Sequence, residues 1–287
     1  MLPRYVTVVI VVFWLATTGW LVYREILPNW RSGEAPPFTI DLADEAQLKI
    51  QRIRWTILRA DEDGEKPIGR ARTWVDYRAA DDTFELHSQI EQLRLGSGLI
   101  VVKVPEFASN YGVSRDGDLR EMSAKVTASV VGLEVKTRVN GAVREQRFWP
   151  HLSIETTGWG PHELDLDPVA VSTHGTVLNP LHPVNRLRGL RPGQRWRMPL
   201  VDPMADALRA LVAKELPATK VGPRFLDAEV LPALQSLTWS GAEVPCLVIS
   251  YHGEDGFSAR TWVREQDGLV LRQQAELGSD VVVLQRE

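Results

Sequence analysis

One cysteine, Cys246, stands in 287 residues, and a single thiol allows neither an internal disulfide nor a multi-cysteine metal site. No cysteine follows the apolar N-terminal segment, so the acceptor of a bacterial lipoprotein anchor is absent there. Basic runs are missing too. Three of the 33 Lys and Arg and two of the 37 Asp and Glu lie in residues 1–37; the remaining 30 against 35 argue against nucleic acid as a partner. The sequence has no glycine-rich phosphate loop, no G-x-S-x-G elbow and no H-E-x-x-H pair, which weakens an enzyme reading. Eighteen prolines and 21 glycines are too few for a disordered or collagen-like chain, and 44% hydrophobic with 24% charged residues is the balance of a globular protein.

What is present begins with Tyr5–Tyr23, YVTVVIVVFWLATTGWLVY, 19 residues without a charge. At about 1.5 Å per helical residue they reach roughly 28 Å, close to the ~30 Å hydrocarbon core of a bilayer. Tyr5 at one end and Trp20, Tyr23 and Trp30 at the other resemble interfacial aromatic anchors. Thr17 and Gly19 fit a signal cleavage site loosely, Trp14 and Trp20 poorly, so the segment reads as an uncleaved signal anchor. Arg4 before it and Arg24 with Glu25 after it are too small a bias to set orientation. The short tail makes insertion with the tail inside the simplest. The expected organisation is a tail and transmembrane anchor over residues 1–30, a Pro- and Gly-containing linker over 31–41, and an extracytoplasmic β domain over 42–287. That describes a single-pass inner-membrane protein.

Beyond the linker the chain alternates with the period of strands: Ile53, Trp55 and Ile57 against Arg52, Arg54 and Thr56. Turns at Asp61 to Gly64 and Ala79 to Asp82 predict a three-strand meander ending at Leu93. Residues 96–118 are less regular, with a loop expected over Phe107 to Arg115. Met122 to Val131 and Leu133 to Val139 read as strands, with a type I′ hairpin at Asn140-Gly141 and a partner over Ala142 to Trp149. Pro150 to Pro183, with four histidines and five prolines, reads as too irregular for central strands, and Asp202-Pro203 predicts one helix ended by Pro217. The last segment is again a meander. Its Ala259-Arg260-Thr261-Trp262-Val263 repeats Ala71-Arg72-Thr73-Trp74-Val75, each after a strand and a Glu-Asp-Gly turn. The fold class expected is mainly β: an N-terminal transmembrane helix, then a curved antiparallel sheet, an open or half barrel, with one short helix packed on it.

Arg and Trp of the repeated pentapeptide share one strand face, so Arg72, Trp74, Arg260 and Trp262 are the candidate ligand-binding residues. Arg191, Arg195, Trp196 and Arg197, in a compact basic and aromatic stretch, are the candidate partner-binding residues; the alternative is a solvated loop. His151, His162, His174 and His182 have gaps of 11, 12 and 8 residues, which prearrange no metal, and no metal or cofactor is assigned. Asp165 and Asp167 share one side of an extended segment with reach toward those histidines. Cys246 and His252 are six residues apart on one strand, roughly 20 Å at ~3.3 Å per residue, too far for a dyad.

The N-terminal apolar segment, the meanders, the Arg191-Pro192-Gly193-Gln194-Arg195-Trp196 turn and strand, and the closing Trp262-Val263 and Asp267-Gly268 meander resemble bacterial envelope proteins with the lipoprotein-sorting, LolA/LolB-like half-barrel and related periplasmic β domains. The resemblance implies an incomplete barrel sheltering acyl chains; this chain departs from it by carrying its own span. The function expected is a non-enzymatic, membrane-anchored domain binding an apolar ligand or an envelope partner. The alternatives are a hydrolase or metalloenzyme on residues 151–182 and a structural accessory subunit of a membrane complex.

Overall fold

The computed structural model describes residues 13–14, 17–18, 20, 52–95, 101–115, 118–130, 132–170, 185–200, 224–253, 256–277 and 280–287. Among the described residues sixteen strands are formed: β1 Ile53–Asp61, β2 Gly64–Arg78, β3 Thr83–Leu95, β4 Val102–Ser114, β5 Leu119–Val130, β6 Leu133–Arg144, β7 Arg147–Thr156, β8 Trp159–Asp165, β9 Val169–Ala170, β10 Arg195–Leu200, β11 Arg224–Val230, β12 Gln235–Trp239, β13 Ala242–Gly253, β14 Ser258–Arg264, β15 Val270–Leu277 and β16 Asp280–Arg286. They make one antiparallel sheet in the order β10-β11-β13-β14-β15-β16-β1-β2-β3-β4-β5-β6-β7-β8, with β12 beside β13 and β9 beside β7. The two ends of this path, β10 and β8, do not pair, so the described sheet is open. The chain's closing strand β16 lies beside its first, β1, and this joins the two meanders.

Alternation decides which side chains go inside. Ile53, Trp55 and Ile57 of β1 are buried and join Ala71, Trp196, Leu226, Ala228, Ile249, Tyr251, Ala259, Ala275 and Leu284 in the principal core. Trp55 is wholly buried, and its indole N–H donates to Thr73 Oγ1 at 3.0 Å, so the polar atom of a large apolar side chain is satisfied inside. Cys246 to Tyr251 in β13 are all buried, the continuous run of a strand covered on both faces. The second face carries Cys246, Val248, Trp262 and Leu271 under Leu237 and Trp239 of β12. The tip of the β12–β13 hairpin reaches over β16, where Trp239 Nε1 donates to the Arg286 carbonyl at 3.3 Å.

Several expectations change. Among the described residues of 52–287 every element is a strand, so the expected short helix packed on the sheet is not there; residues 202–216, where it was placed, lie outside the described residues. Of the Tyr5–Tyr23 segment, residues 13, 14, 17, 18 and 20 have helical backbone; the rest lies outside the described residues, and among those described no helix is long and apolar enough to cross a membrane.

The expected loop at Phe107 to Arg115 is largely strand β4, paired on both sides. Pro150 sits inside β7, opposite Gly141, and its carbonyl accepts from Leu166 N–H at 3.1 Å. The β6–β7 hairpin turns at Glu145-Gln146, whose φ angles are 51° and 62°, not at Asn140-Gly141. The reason is packing: a Cβ on Gly141 would lie 2.6 Å from Phe148 Cε2 and 2.6 Å from the Trp149 carbonyl oxygen, so the glycine gives room to a cross-strand ring.

Candidate functional site

The registers of β2 to β8 place seven outward residues in one transverse row. Trp74 is opposite His87, His87 opposite Asn110, Asn110 opposite Ser123, Ser123 opposite Asn140, Asn140 opposite His151, and His151 opposite Asp165. Opposed residues in a ladder point to the same face, so this is a polar line across seven strands. Its ends are locked by local contacts. Trp74 stacks on His87 with centroids 4.7 Å apart, carries Arg52 4.6 Å from its ring centroid, and donates its indole N–H to Asp76 at 3.1 Å. His87 Nδ1–H donates to Asn110 Oδ1 at 2.7 Å, while its buried Nε2 lies 3.1 Å from Asp76 and 3.5 Å from Glu85 without the alignment of a hydrogen bond. At the far end His151 Nδ1–H donates to Asp165 Oδ1 at 2.7 Å, and that bond holds the imidazole above its usual pKa.

Beside the row, Asp76, Glu85 and Glu121 form an acidic flank, and Arg78 reaches Glu85 at 3.0 Å and Glu121 at 2.7 Å while also pairing with Asp81 at 2.6 Å. Gly112 makes this possible, since a Cβ there would lie 2.7 Å from Glu121 Cγ. Trp149 lies on the same face, two residues from His151 and opposite Ala142, and is 48% exposed. Neither the row nor Trp149's place beside it was read from the sequence. Asn110, Ser123 and Asn140 each look like ordinary outward residues, and only the register aligns them.

A second feature is a cleft of about 420 Å³ between residues 187–190 and the β14–β15 turn. Its lining includes Leu187, Leu190, Leu247 and Val263 together with Arg188, Arg264, Glu265 and Asp267. The segment is held by Leu187 N–H on the Gly268 carbonyl and Val270 N–H on the Asn185 carbonyl, at 2.8 and 2.9 Å. Gly268 adopts φ +73° and a Cβ there would meet the Leu187 carbonyl oxygen at 2.5 Å, so glycine permits the approach. Arg264 grips Asp267 through two bonds of 2.8 and 2.7 Å, which lowers the Asp267 pKa to about 2.

The two copies of the repeated pentapeptide occupy β2 and β14, four strands apart, with Ala and Thr buried in both. Trp74 is half-buried in the stack just described and Arg72 lies 3.5 Å from Glu91. Trp262 is 8% exposed beneath β12, donating to Gln235 at 3.3 Å with Arg272 5.4 Å from its ring centroid, while Arg260 is exposed. These four therefore do not meet at one point. In the basic stretch Trp196 is buried in the principal core, Arg195 pairs with Glu229 at 2.7 Å, Arg197 lies 4.9 Å from the centroid of the Phe225 ring, and Arg191 is exposed before the Pro192-Gly193 turn.

Asp165 does reach His151, as its position in the extended segment allowed, but His162 projects to the other face of β8; His174 and His182 lie outside the described residues. Among the described residues no group of three or more potential ligands is placed to hold a metal ion. Burial pushes the Cys246 thiol up to about 11, and His252 bonds Ser250 at 3.0 Å instead.

No protein-family model matches the chain. No curated protein matches it either. Among solved structures it is similar to the crystal structure of a β-barrel-like protein of a domain of unknown function, DUF1849, from Brucella abortus, at 11% identity and a TM-score of 0.44, over 82% of this chain and 94% of that one. At that level the likeness is one of general β architecture, and it lends no support to the narrower lipoprotein-sorting family.

Proposed function

We propose that this is a membrane-anchored extracytoplasmic binding domain, with residues 1–30 as tail and anchor, 31–41 as linker and 42–287 as the domain, and that its ligand is an amphiphile with a substantial apolar part. The observation that carries this reading is the cleft of about 420 Å³, whose leucines and valine sit beside arginines and carboxylates. Its size falls within the range of small-molecule pockets, and apolar walls with a few polar groups suit a lipid-like molecule. Apolar contact with half-buried Leu190 and with the margins of Leu187 and Leu247, over a floor backed by the buried Val263, supplies affinity, while the exposed Arg188 at the rim favours an anionic head group. Arg264 is committed to Asp267 and serves the turn.

The test is titration of the full chain, in detergent-free nanodiscs, with a dansyl-labelled fatty acid. Saturable binding that weakens about tenfold or more in Leu190→Arg and in Arg188→Glu is the expected result. Binding that ignores both substitutions, or no saturable binding, refutes the assignment.

A further inference from the structure

We infer that the outer face of β4 to β8, centred on Trp149, Ser123 and Asn140, is a docking track for a neutral oligosaccharide, separate from the cleft.

The chemistry of the face selects this class of ligand. Trp149 is the only large hydrophobic residue among the described residues of this face to be strongly exposed. Its cross-strand neighbour is Ala142, too small to cover the ring from the side. Protein interfaces centre on a desolvated apolar patch with several anchors, whereas here one indole stands in a polar field. An indole offers a flat apolar platform for the C–H face of a sugar ring, and hydroxyls need hydrogen-bonding groups at its margins.

Those groups are in place. Asn140 is exposed and Ser123 half-exposed, neighbours in the row, and neither side chain has a described partner. Asn110 on one side and His151 with Asp165 on the other continue the line, already oriented by the His87–Asn110 and His151–Asp165 hydrogen bonds. Strands are about 4.8 Å apart, a step of the order of one sugar ring, so β4 to β8 give a track of roughly 19 Å.

Charge argues for a neutral ligand. One flank bears Asp76, Glu85 and Glu121, with Arg78 shared among Glu85, Glu121 and Asp81, and the other bears Arg72, Lys125 and Lys136, each within 4.0 Å of a carboxylate: Glu91, Glu106 and Glu134 respectively. These basic groups are taken up by carboxylates, which leaves no continuous basic track for a polyanion, and the acidic flank lies to one side of the uncharged centre formed by Ser123, Asn140 and Trp149.

The experiment is calorimetric titration of the full chain in nanodiscs with chitotetraose and, separately, cellotetraose, at low and high salt. We expect at least one tetrasaccharide to bind with a dissociation constant in the micromolar to millimolar range, with little salt dependence. Trp149→Ala should weaken binding about tenfold or more, and Ser123→Arg/Asn140→Arg, which fills the track with charge, should abolish it. Trp149→Phe, which keeps a ring, should retain most of the affinity and guards against a folding artefact. Arg188→Glu in the cleft should leave sugar binding unchanged, so the two sites fail or succeed independently. Absence of binding by both tetrasaccharides, indifference to Trp149→Ala, or a protein partner captured through Trp149 in place of sugar overturns the inference.

Discussion

The position of the β6–β7 turn can be tested by two substitutions of opposite sign, and the polar row stands or falls with it. Glu145 and Gln146 occupy the turn with φ of 51° and 62°, a left-handed conformation that costs non-glycine residues roughly 1–2 kcal/mol each, less for Asn. Replacing the pair by Asn-Gly, the preferred type I′ dipeptide, should stabilise the domain by about 1–2 kcal/mol. Gly141→Ala should do the reverse. Its φ is not positive, so alanine fits the backbone and gains about 0.4–1 kcal/mol through the unfolded chain. Its Cβ, however, meets the buried Phe148 ring and the Trp149 carbonyl oxygen at 2.6 Å, and such overpacking costs about 1–3 kcal/mol. A net loss of about 1–2 kcal/mol follows.

For a domain of this size each kcal/mol moves Tm by about 2–4 °C, so circular-dichroism melts should separate the two variants on either side of the wild type. Combining Gly141→Ala with Phe148→Leu should recover part of the loss. If the Asn-Gly swap lowers Tm while Gly141→Ala is tolerated, the hairpin does not turn at residues 145–146. Asn140 would then not face His151, and the row would be broken.

His151 should titrate above its ordinary value of 6.5 in an NMR pH series and return toward it in Asp165→Asn, because the Asp165 bond is the largest cause of the shift. With the folded value raised above the unfolded one, the pair's contribution to stability is fully present below about pH 6.5 and fades as pH rises through the folded value; an unshifted His151 would contradict the contact. Cys246 is fully buried with its pKa raised to about 11, so Ellman's reagent at pH 8 should label it only in denaturant; rapid labelling of the native chain would show the β12–β13 cover to be open.

Much of the fold was legible because alternation is a local property. The strand pattern Ile53, Trp55, Ile57 and the turns at Glu62-Asp63 and Ala79 to Asp82 follow from side-chain period and turn chemistry, and all are found in place. The errors came where a local signal competed with packing. Asn140-Gly141 is the strongest turn dipeptide in the chain, yet Phe148 across the ladder uses the missing Cβ, and the strand runs on to Arg144. Pro150 argued against a strand, yet it pairs with Gly141 in β7. The Arg and Trp of the repeated pentapeptide share a face as read, but β12 covers Trp262 and leaves Trp74 to stack on His87.

By itself the sequence determined the strand-rich character of the domain, through β-alternation and turn residues, and a lone thiol that excludes an internal disulfide. These depend on neighbours along the chain. Register and cover belong to the tertiary structure alone, because cross-strand pairing joins residues up to 231 positions apart, as it does Trp55 and Arg286 of β1 and β16. No local pattern states which outward residue of one strand faces which of the next. That pairing set His87, Asn110, Ser123, Asn140 and His151 in a single line, and it decided that Trp149 stays in water while Trp262 is buried.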